Sequence, residues 1–362
     1  AARDLVVSTF HSLGVRMLRQ DGERIGLKPN FSILDADDIL GVIRDAGGCT
    51  DNALARRWQW TISLWKNQGL DADAAERAAA SDDERVAARL MRRVQERLQA
   101  YQAVDFDDLI GLPLALLQRD EQARASWQRQ FRHVLVDEVQ DTNAVQYELL
   151  KALVGDGAAG TPFTAVGDDD QSIYGWRGAT IDNLKRLPQD YPQLQVIPLE
   201  QNYRSTGHIL RAANAVISHN PKLYEKKLWS ELGDGEPVRV VECDGEEHEA
   251  ERAVARIQSL RGGNTTAGAG LKFSDFAVLY RANHQAKVFE QKLRAAQIPY
   301  KVSGGQSYFD RAEIKDLCAW LRLLVNQDDD PAFLRAVTTP KRGIGHQTLG
   351  SLGEFAAQWK VS

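Results

Sequence analysis

His133-Val134-Leu135-Val136-Asp137-Glu138-Val139-Gln140-Asp141-Thr142 and, about twenty residues on, Phe163-Thr164-Ala165-Val166-Gly167-Asp168-Asp169-Asp170-Gln171-Ser172-Ile173-Tyr174-Gly175-Trp176-Arg177-Gly178 decide the fold. Each is a short apolar run that stops abruptly at carboxylates. An apolar run without alternation suits a strand buried on both faces of a parallel sheet. The carboxyl end of such a strand opens onto the crevice where open α/β sheets bind ligands. Carboxylates there are placed to hold Mg²⁺ and to polarise a water beside a nucleotide phosphate. Two other readings of the acids stand beside this one: solvated turns, or a two-metal nuclease centre.

The residues after the second acid run discriminate. Gln171, Tyr174, Trp176 and Arg177 put an amide, two aromatic rings and a guanidinium next to the carboxylates. A turn made only for solubility does not need a tryptophan, whereas single-strand platforms combine aromatic faces with cations. The alternative for Trp176 is burial between subdomains.

With these residues in view, Val136–Asn143, Val166–Ala179 and Leu199-Glu200-Gln201-Asn202-Tyr203-Arg204-Ser205 resemble motifs of the superfamily-one DNA helicases, in particular the bacterial Rep/UvrD/PcrA group and most of all its Rep branch. Further similar segments run along the chain in the same order: Ser8–Gly14, Asp105-Phe106-Asp107-Asp108-Leu109, Leu279–Gln285, Ser303–Phe309 and Glu313–Leu317. The second motif departs at Val139, where the group carries tyrosine; the acids are unaffected.

The resemblance implies an ATP-driven enzyme that tracks 3′ to 5′ along single-stranded DNA and unwinds duplex in replication or repair, with ATP and Mg²⁺ as cofactors. It makes Asp137 the Mg²⁺ ligand and Glu138 the base that positions and deprotonates the attacking water. Gln171 touches the γ-phosphate or the water. Arg204 reaches the γ-phosphate, where a planar, permanent charge suits phosphate oxygens, and Tyr203 stacks on adenine. The alternative for Arg204 is a salt bridge to an acid such as Glu200. Thr9, Phe10 and His11, then Tyr174, Trp176 and Arg177, then Arg281 and Asn283 form the DNA-facing set; the alternative for Arg281 and Asn283, with Gln285, is to bind the two motor domains together. Expected partners are single strands and single/double-strand junctions, together with replication or repair proteins and a second copy in a homodimer.

No Gly-x-x-x-x-Gly-Lys-Ser/Thr loop occurs in the 362 residues, although such a loop cradles phosphates in this enzyme class. The resemblance therefore predicts an internal fragment of a longer helicase that lacks the phosphate loop and the late motifs and is idle as an ATPase on its own. A catalytically idle strand-binding or partner-binding module is the competing reading.

Composition sets outer limits. Hydrophobic residues make up 43% and the net charge is −5, so DNA binding needs a local groove rather than a globally basic surface. Cys49, Cys243 and Cys318 are too few and too far apart for a disulfide framework or a zinc site. No apolar run approaches a membrane span and no signal pattern occurs, which leads to an expectation of a bacterial cytoplasmic protein.

The expected fold class is α/β: partial parallel-sheet RecA-like motor domains with a helical inserted subdomain. The resemblance divides the chain into 1–10 (end of a first 1A segment), 11–121 (1B-like helices), 122–202 (second 1A segment), 203–299 (first segment of 2A) and 300–362 (start of a 2B-like subdomain). Within this frame Val86, Leu90, Val94 and Leu98 predict a long amphipathic helix, and Trp58, Trp60 and Trp65 are assigned to packing. Asn143 and Gln146 predict a capping box on a helix to Val154 with Gly155 at its exit. Strands are expected at 134–136, 163–167, 195–199 and 276–280. Helices are expected over Thr206–Ser218, over Glu246–Leu260, and through Ile314, Leu317, Leu321 and Leu324, with a loop at 262–270.

Overall fold

Helix periodicity and capping chemistry lay out most of the chain in the computed structural model, which describes residues 5–155, 160–262, 270–304, 311–340, 342–344, 348–349, 351–352 and 355. In chain order the elements are α1 (Phe10–Asp21), β1 (Ser32–Ile33), α2 (Ala36–Gly47), α3 (Asn52–Asn67), α4 (Ala72–Ala78), α5 (Asp82–Ala100), β2 (Ala103–Val104), α6 (Asp108–Arg119), α7 (Glu121–Gln130), β3 (Val134–Val136), α8 (Ala144–Val154), β4 (Phe163–Ala165), α9 (Asp182–Asp190), α10 (Gly207–Ile217), α11 (Glu246–Arg261), α12 (Ala286–Ala295), α13 (Ala312–Val325) and α14 (Asp330–Thr338). The chain divides into two compact units, one comprising Ala1–Ser205, Leu210–Glu231 and Asp316–Ser362, the other Thr206–Ile209 and Leu232–Lys315.

In the first unit α2, α3 and α5 enclose a core that includes Ile43, Trp58, Ile62, Trp65, Leu90, Met91, Val94 and Leu98. Each large apolar side chain buried there stabilises by about 1.5–3 kcal/mol. Ser81 and Glu84 form a capping box that starts α5 at its acidic first turn. Trp58 and Trp65 belong to this core, but Trp60 is 59% exposed, which corrects its assignment to packing. It lies two residues from Trp58 and Ile62, so the helical period turns it to the opposite side.

A buried charge cluster ties α3 to the start of α6. Lys66 Nζ donates to Asp105 Oδ2 (2.6 Å) and Asp108 Oδ1 (2.7 Å). Burial alone would lower the Lys66 ammonium, yet the two carboxylates hold it above its usual value. Burial and the neighbouring Asp105 push the Asp108 carboxyl up to about 6.

Strands β3 and β4 pair in parallel, with Val134 opposite Phe163, Leu135 opposite Thr164 and Val136 opposite Ala165. Helix α8 joins them and packs Tyr147, Leu150 and Val154 against Val136 and Val139. Asn143 and Gln146 form the expected capping box, and Gly155 leaves the helix at φ 84°. The expectation of burial on both faces is corrected: Leu135 is 72% exposed. Val134 and Val136 face α8, and alternation sends Leu135 to a side that no helix of the described residues covers.

Two expected strands are not formed. Residues 195–199 have no sheet partner among the described residues, and Ile197 and Leu199 are exposed. In the second unit 276–280 likewise has no sheet partner among the described residues, with Leu279 94% exposed. Both have strand-like composition, but a strand exists only through a neighbour that accepts its ladder. That unit is held by α11 against α12, where Lys292 pairs with Glu251 at 2.6 Å. Helix α13 carries the expected Leu317, Leu321 and Leu324, which are exposed, while Ala319 packs with Ala332 and Ala336. Residues 305–309 of the Ser303–Phe309 motif, and 263–269 of the loop, lie outside the described residues.

Candidate functional site

The two acid runs leave the ends of adjacent parallel strands. Pairing continues past β3 and β4, because Val166 N–H donates to Val136 O (2.8 Å) and Val139 N–H donates to Val166 O (3.0 Å). This sets Gly167 against Val139 and Gln140 so closely that a Cβ at residue 167 would lie 2.7 Å from Gln140 Oε1 and from Val139 Cγ1. Only glycine fits there. Val139, the departure from the family pattern, is a core residue at this junction.

Asp137 and Glu138 stand exposed on the turn after β3. Asp137 Oδ1 accepts the Glu138 N–H at 3.0 Å. Glu138 is left-handed, φ 51° and ψ 45°, a conformation that costs a side-chain-bearing residue about 1–2 kcal/mol. Strain of this kind concentrates at functional sites. Its Oε2 accepts from Gln140 Nε2 at 2.6 Å, and no cation of the described residues pairs with either acid. Close by, Asp141 Oδ1 is buried without a partner, and its carboxyl is raised by burial and by Glu138. All the donors here are oxygens, the set a hard divalent cation takes.

Asp168, Asp169 and Asp170 differ. Lys226 donates to Asp168 and Asp169 and lies 3.2 Å from Asp170. Burial alone would raise Asp168 and Asp169, yet Lys226 holds both below the usual carboxylate range. The Asp168 backbone N–H donates to Gln140 Oε1 (3.0 Å), and Asp168 Oδ2 accepts from Gln171 Nε2 (2.7 Å). Gln140, 1% exposed, therefore joins Glu138 to the second acid loop.

Beyond Gln171 the chain makes a short 3₁₀ turn, Gly175–Arg177, and leaves it through Gly178 at φ 87°. Trp176 is 61% exposed. Its ring centroid lies 6.4 Å from that of Tyr174, and the Arg177 guanidinium sits 4.5 Å from the Trp176 ring and 5.2 Å from the Tyr174 ring. Behind this turn Asn67 packs under Gly178 and accepts from Asn143 Nδ2.

Thr9 Oγ1 caps α1 by accepting the Ser12 N–H (3.2 Å). Phe10 is half-buried between two core clusters. His11 lies 5.9 Å from the exposed Phe106 ring, and burial lowers its imidazole pKa despite nearby Asp107. Arg204 is exposed and its guanidinium has no partner among the described residues. Glu200, its alternative ion-pair partner, instead accepts the Lys227 N–H. Tyr203 is 78% exposed, its hydroxyl on Gln201 Oε1. Arg281 and Asn283 lie in the second unit, where Gln285 Oε1 accepts the Arg281 N–H.

Sequence reasoning missed Lys226, Gln140, Lys66 and Asn67. A usable signal existed for the cations: three consecutive aspartates, and an Asp-Phe-Asp-Asp run, need positive charge when partly buried.

A parallel strand pair thus ends in an oxygen-lined turn, and an exposed aromatic and guanidinium surface follows further along the second loop. Residues 1–192 match the UvrD/REP helicase N-terminal domain and 197–361 the UvrD-like helicase C-terminal domain; the chain belongs to this helicase family. It is 49% identical to the ATP-dependent DNA helicase Rep of Escherichia coli (strain K12), over 98% of this chain and 52% of that protein. It is 42% identical to the ATP-dependent DNA helicase PcrA of Leuconostoc citreum, over 100% of this chain and 48% of that protein. The chain thus spans about half the length of these curated relatives.

Proposed function

We propose that this chain is the part of an ATP-dependent, 3′ to 5′ DNA helicase that carries its water-activating acids and part of its single-strand track. The observation that carries the reading is the continuous hydrogen-bonded path from Glu138 through Gln140 and Asp168 to Gln171, three residues before the exposed Tyr174–Arg177 surface. Residues 1–10 and 122–202 are assigned to a RecA-like motor domain, 11–121 to an inserted helical subdomain, 203–299 to a second motor domain and 300–362 to a further subdomain. The protein is assigned to the bacterial cytoplasm.

Asp137 would hold Mg²⁺, its open oxygen and the nearby Asp141 oxygen matching a hard-cation donor set. When bound, that ion neutralises charge on the β- and γ-phosphates of ATP. Glu138 takes the proton of the attacking water, held in place by its Gln140 hydrogen bond. Gln171 senses the nucleotide, Arg204 supplies charge to the γ-phosphate and Tyr203 stacks on the base. Trp176 and Tyr174 stack on bases of the bound strand, Arg177 meets phosphate, and Phe10 anchors Thr9 and His11 beside the same strand. Arg281 and Asn283, in the second unit, are assigned to DNA contact. Single strands and single/double-strand junctions are the partners, alongside replication or repair proteins and a second copy.

Trp176→Ala tests the strand reading directly. Binding of this chain to fluorescent oligo-dT should weaken by about 1–3 kcal/mol per lost base contact, with an unchanged salt slope and an unchanged melting temperature. Arg177→Ala should lower the salt slope by about one unit. Undiminished oligo-dT binding by folded Trp176→Ala would remove the platform from the proposal.

A further inference from the structure

Lys226 lies outside every motif singled out by sequence, 58 and 57 residues from the acids it meets. Its ammonium is the common partner of Asp168, Asp169 and Asp170, with 21% of the side chain exposed. The segment that carries it is fixed at further points. Leu223 N–H donates to Asp169 Oδ2 (3.0 Å), Lys227 N–H donates to Glu200 Oε1 (2.9 Å), and Trp229 brackets Glu200 and Asn202 through two backbone hydrogen bonds. Residues 223–229 therefore hold both the acid loop after β4 and the segment leading to Tyr203-Arg204.

We infer that Lys226 is a positioning residue for ATP hydrolysis: it clamps the Asp168–Asp170 loop and thereby fixes Gln171 and, through Asp168 and Gln140, the carboxylate of Glu138. The reasoning is geometric. Asp168 is held at several points: its backbone N–H donates to Gln140, Oδ2 accepts from Gln171 Nε2, and Oδ1 accepts from Lys226 and from the Asp170 N–H. Without the ammonium, three adjacent carboxylates repel one another and the loop opens. Gln171 then loses a fixed acceptor, and Gln140 loses the donor that orients its amide toward Glu138. A base displaced by about an ångström loses on the order of a hundred-fold in rate. Lys226 touches neither Glu138 nor Gln171 itself, so its effect travels through Asp168.

This inference rests on the proposed role of Glu138, and its test separates the two. In a chain extended to the full length of the relatives, Lys226→Met should lower kcat for DNA-stimulated ATP hydrolysis by about ten- to a hundred-fold while KM for ATP stays within about two-fold. Lys226→Arg should restore most of kcat, because a guanidinium still spans adjacent carboxylates. In the present chain, amide exchange at Asp168, Asp170, Gln171 and Leu223 should accelerate by roughly ten-fold or more in Lys226→Met, with α8 unchanged. If Lys226→Met fails to fold, Asp169→Asn removes a partner instead of the cation and supports the same exchange measurement. Unchanged exchange overturns the clamp. Faster exchange with unaltered kcat overturns the positioning role, as does a parallel loss of kcat and KM that Lys226→Arg does not rescue. Absence of DNA-stimulated hydrolysis in the unsubstituted extended chain overturns the helicase reading, and the exchange data still decide the clamp.

Discussion

The acid turn after β3 and the acid loop after β4 begin from the same sequence signal and end as opposites. Asp137 and Glu138 are exposed, pair with no cation among the described residues and include a left-handed glutamate. Asp168, Asp169 and Asp170 surround Lys226, with the carboxylates of Asp168 and Asp169 held below their usual range. An acid already engaged by a cation inside the protein has less left to offer a metal or a water. An acid held in a costly backbone conformation with open oxygens is placed for chemistry. The difference weighs against a two-metal nuclease built on both runs, because Lys226 already lies among the three carboxylates of the second run.

The junction between the two regions is the place to break this comparison. Gly167→Ala forces a methyl group to 2.7 Å from Gln140 Oε1 and Val139 Cγ1. We expect a loss of about 1–3 kcal/mol in denaturant unfolding, typical of overpacking. A stability equal to that of the unsubstituted chain would mean that the strand ends are not locked together.

Acid titration sharpens the contrast on the β4 side. Folded-state pKa values of Asp168 and Asp169 lie below the ordinary 3.8. Their contribution is thus fully present above that value and is lost as pH falls through the depressed values. Lys226, whose folded pKa is raised, contributes below its ordinary 10.5 and loses that contribution as pH rises through the raised value. Melting temperatures between pH 7 and pH 3 should fall less steeply in Lys226→Gln than in the unsubstituted chain. Parallel curves would show that the lysine does not depress these acids.

The smallest expected effect lies on the β3 side. Glu138→Gly relieves the positive φ of 51° and should raise stability by about half to one kcal/mol, the strain relieved less the backbone entropy of glycine. A destabilised Glu138→Gly would indicate that the glutamate is there for the fold.

Local features were legible in the sequence because their physics is local. The Asn143–Gln146 capping box, the period-four stripe of α5 and the abrupt apolar-to-acid transitions each fall within a few residues and appear as read. The partly buried ion pairs were not legible: Lys66 reaches Asp105 across 39 residues and Lys226 reaches Asp168 across 58, and no spacing rule selects one lysine among the chain's cations. The stretches 195–199 and 276–280 failed for a related reason, since β composition states a preference and pairing depends on a distant neighbour. Trp60 shows the same limit within one helix, where three tryptophans in eight residues cannot all face one core.

The central claim is that Asp137 and Glu138 carry the hydrolytic chemistry, and turnover by Glu138→Gln in a chain extended to the relatives' full length tests it most directly. With single-stranded DNA present, ATP binding should persist while hydrolysis falls by about two to four orders of magnitude, the loss expected when a general base is removed. Hydrolysis close to that of the unsubstituted protein, with ATP bound equally well, would contradict the account.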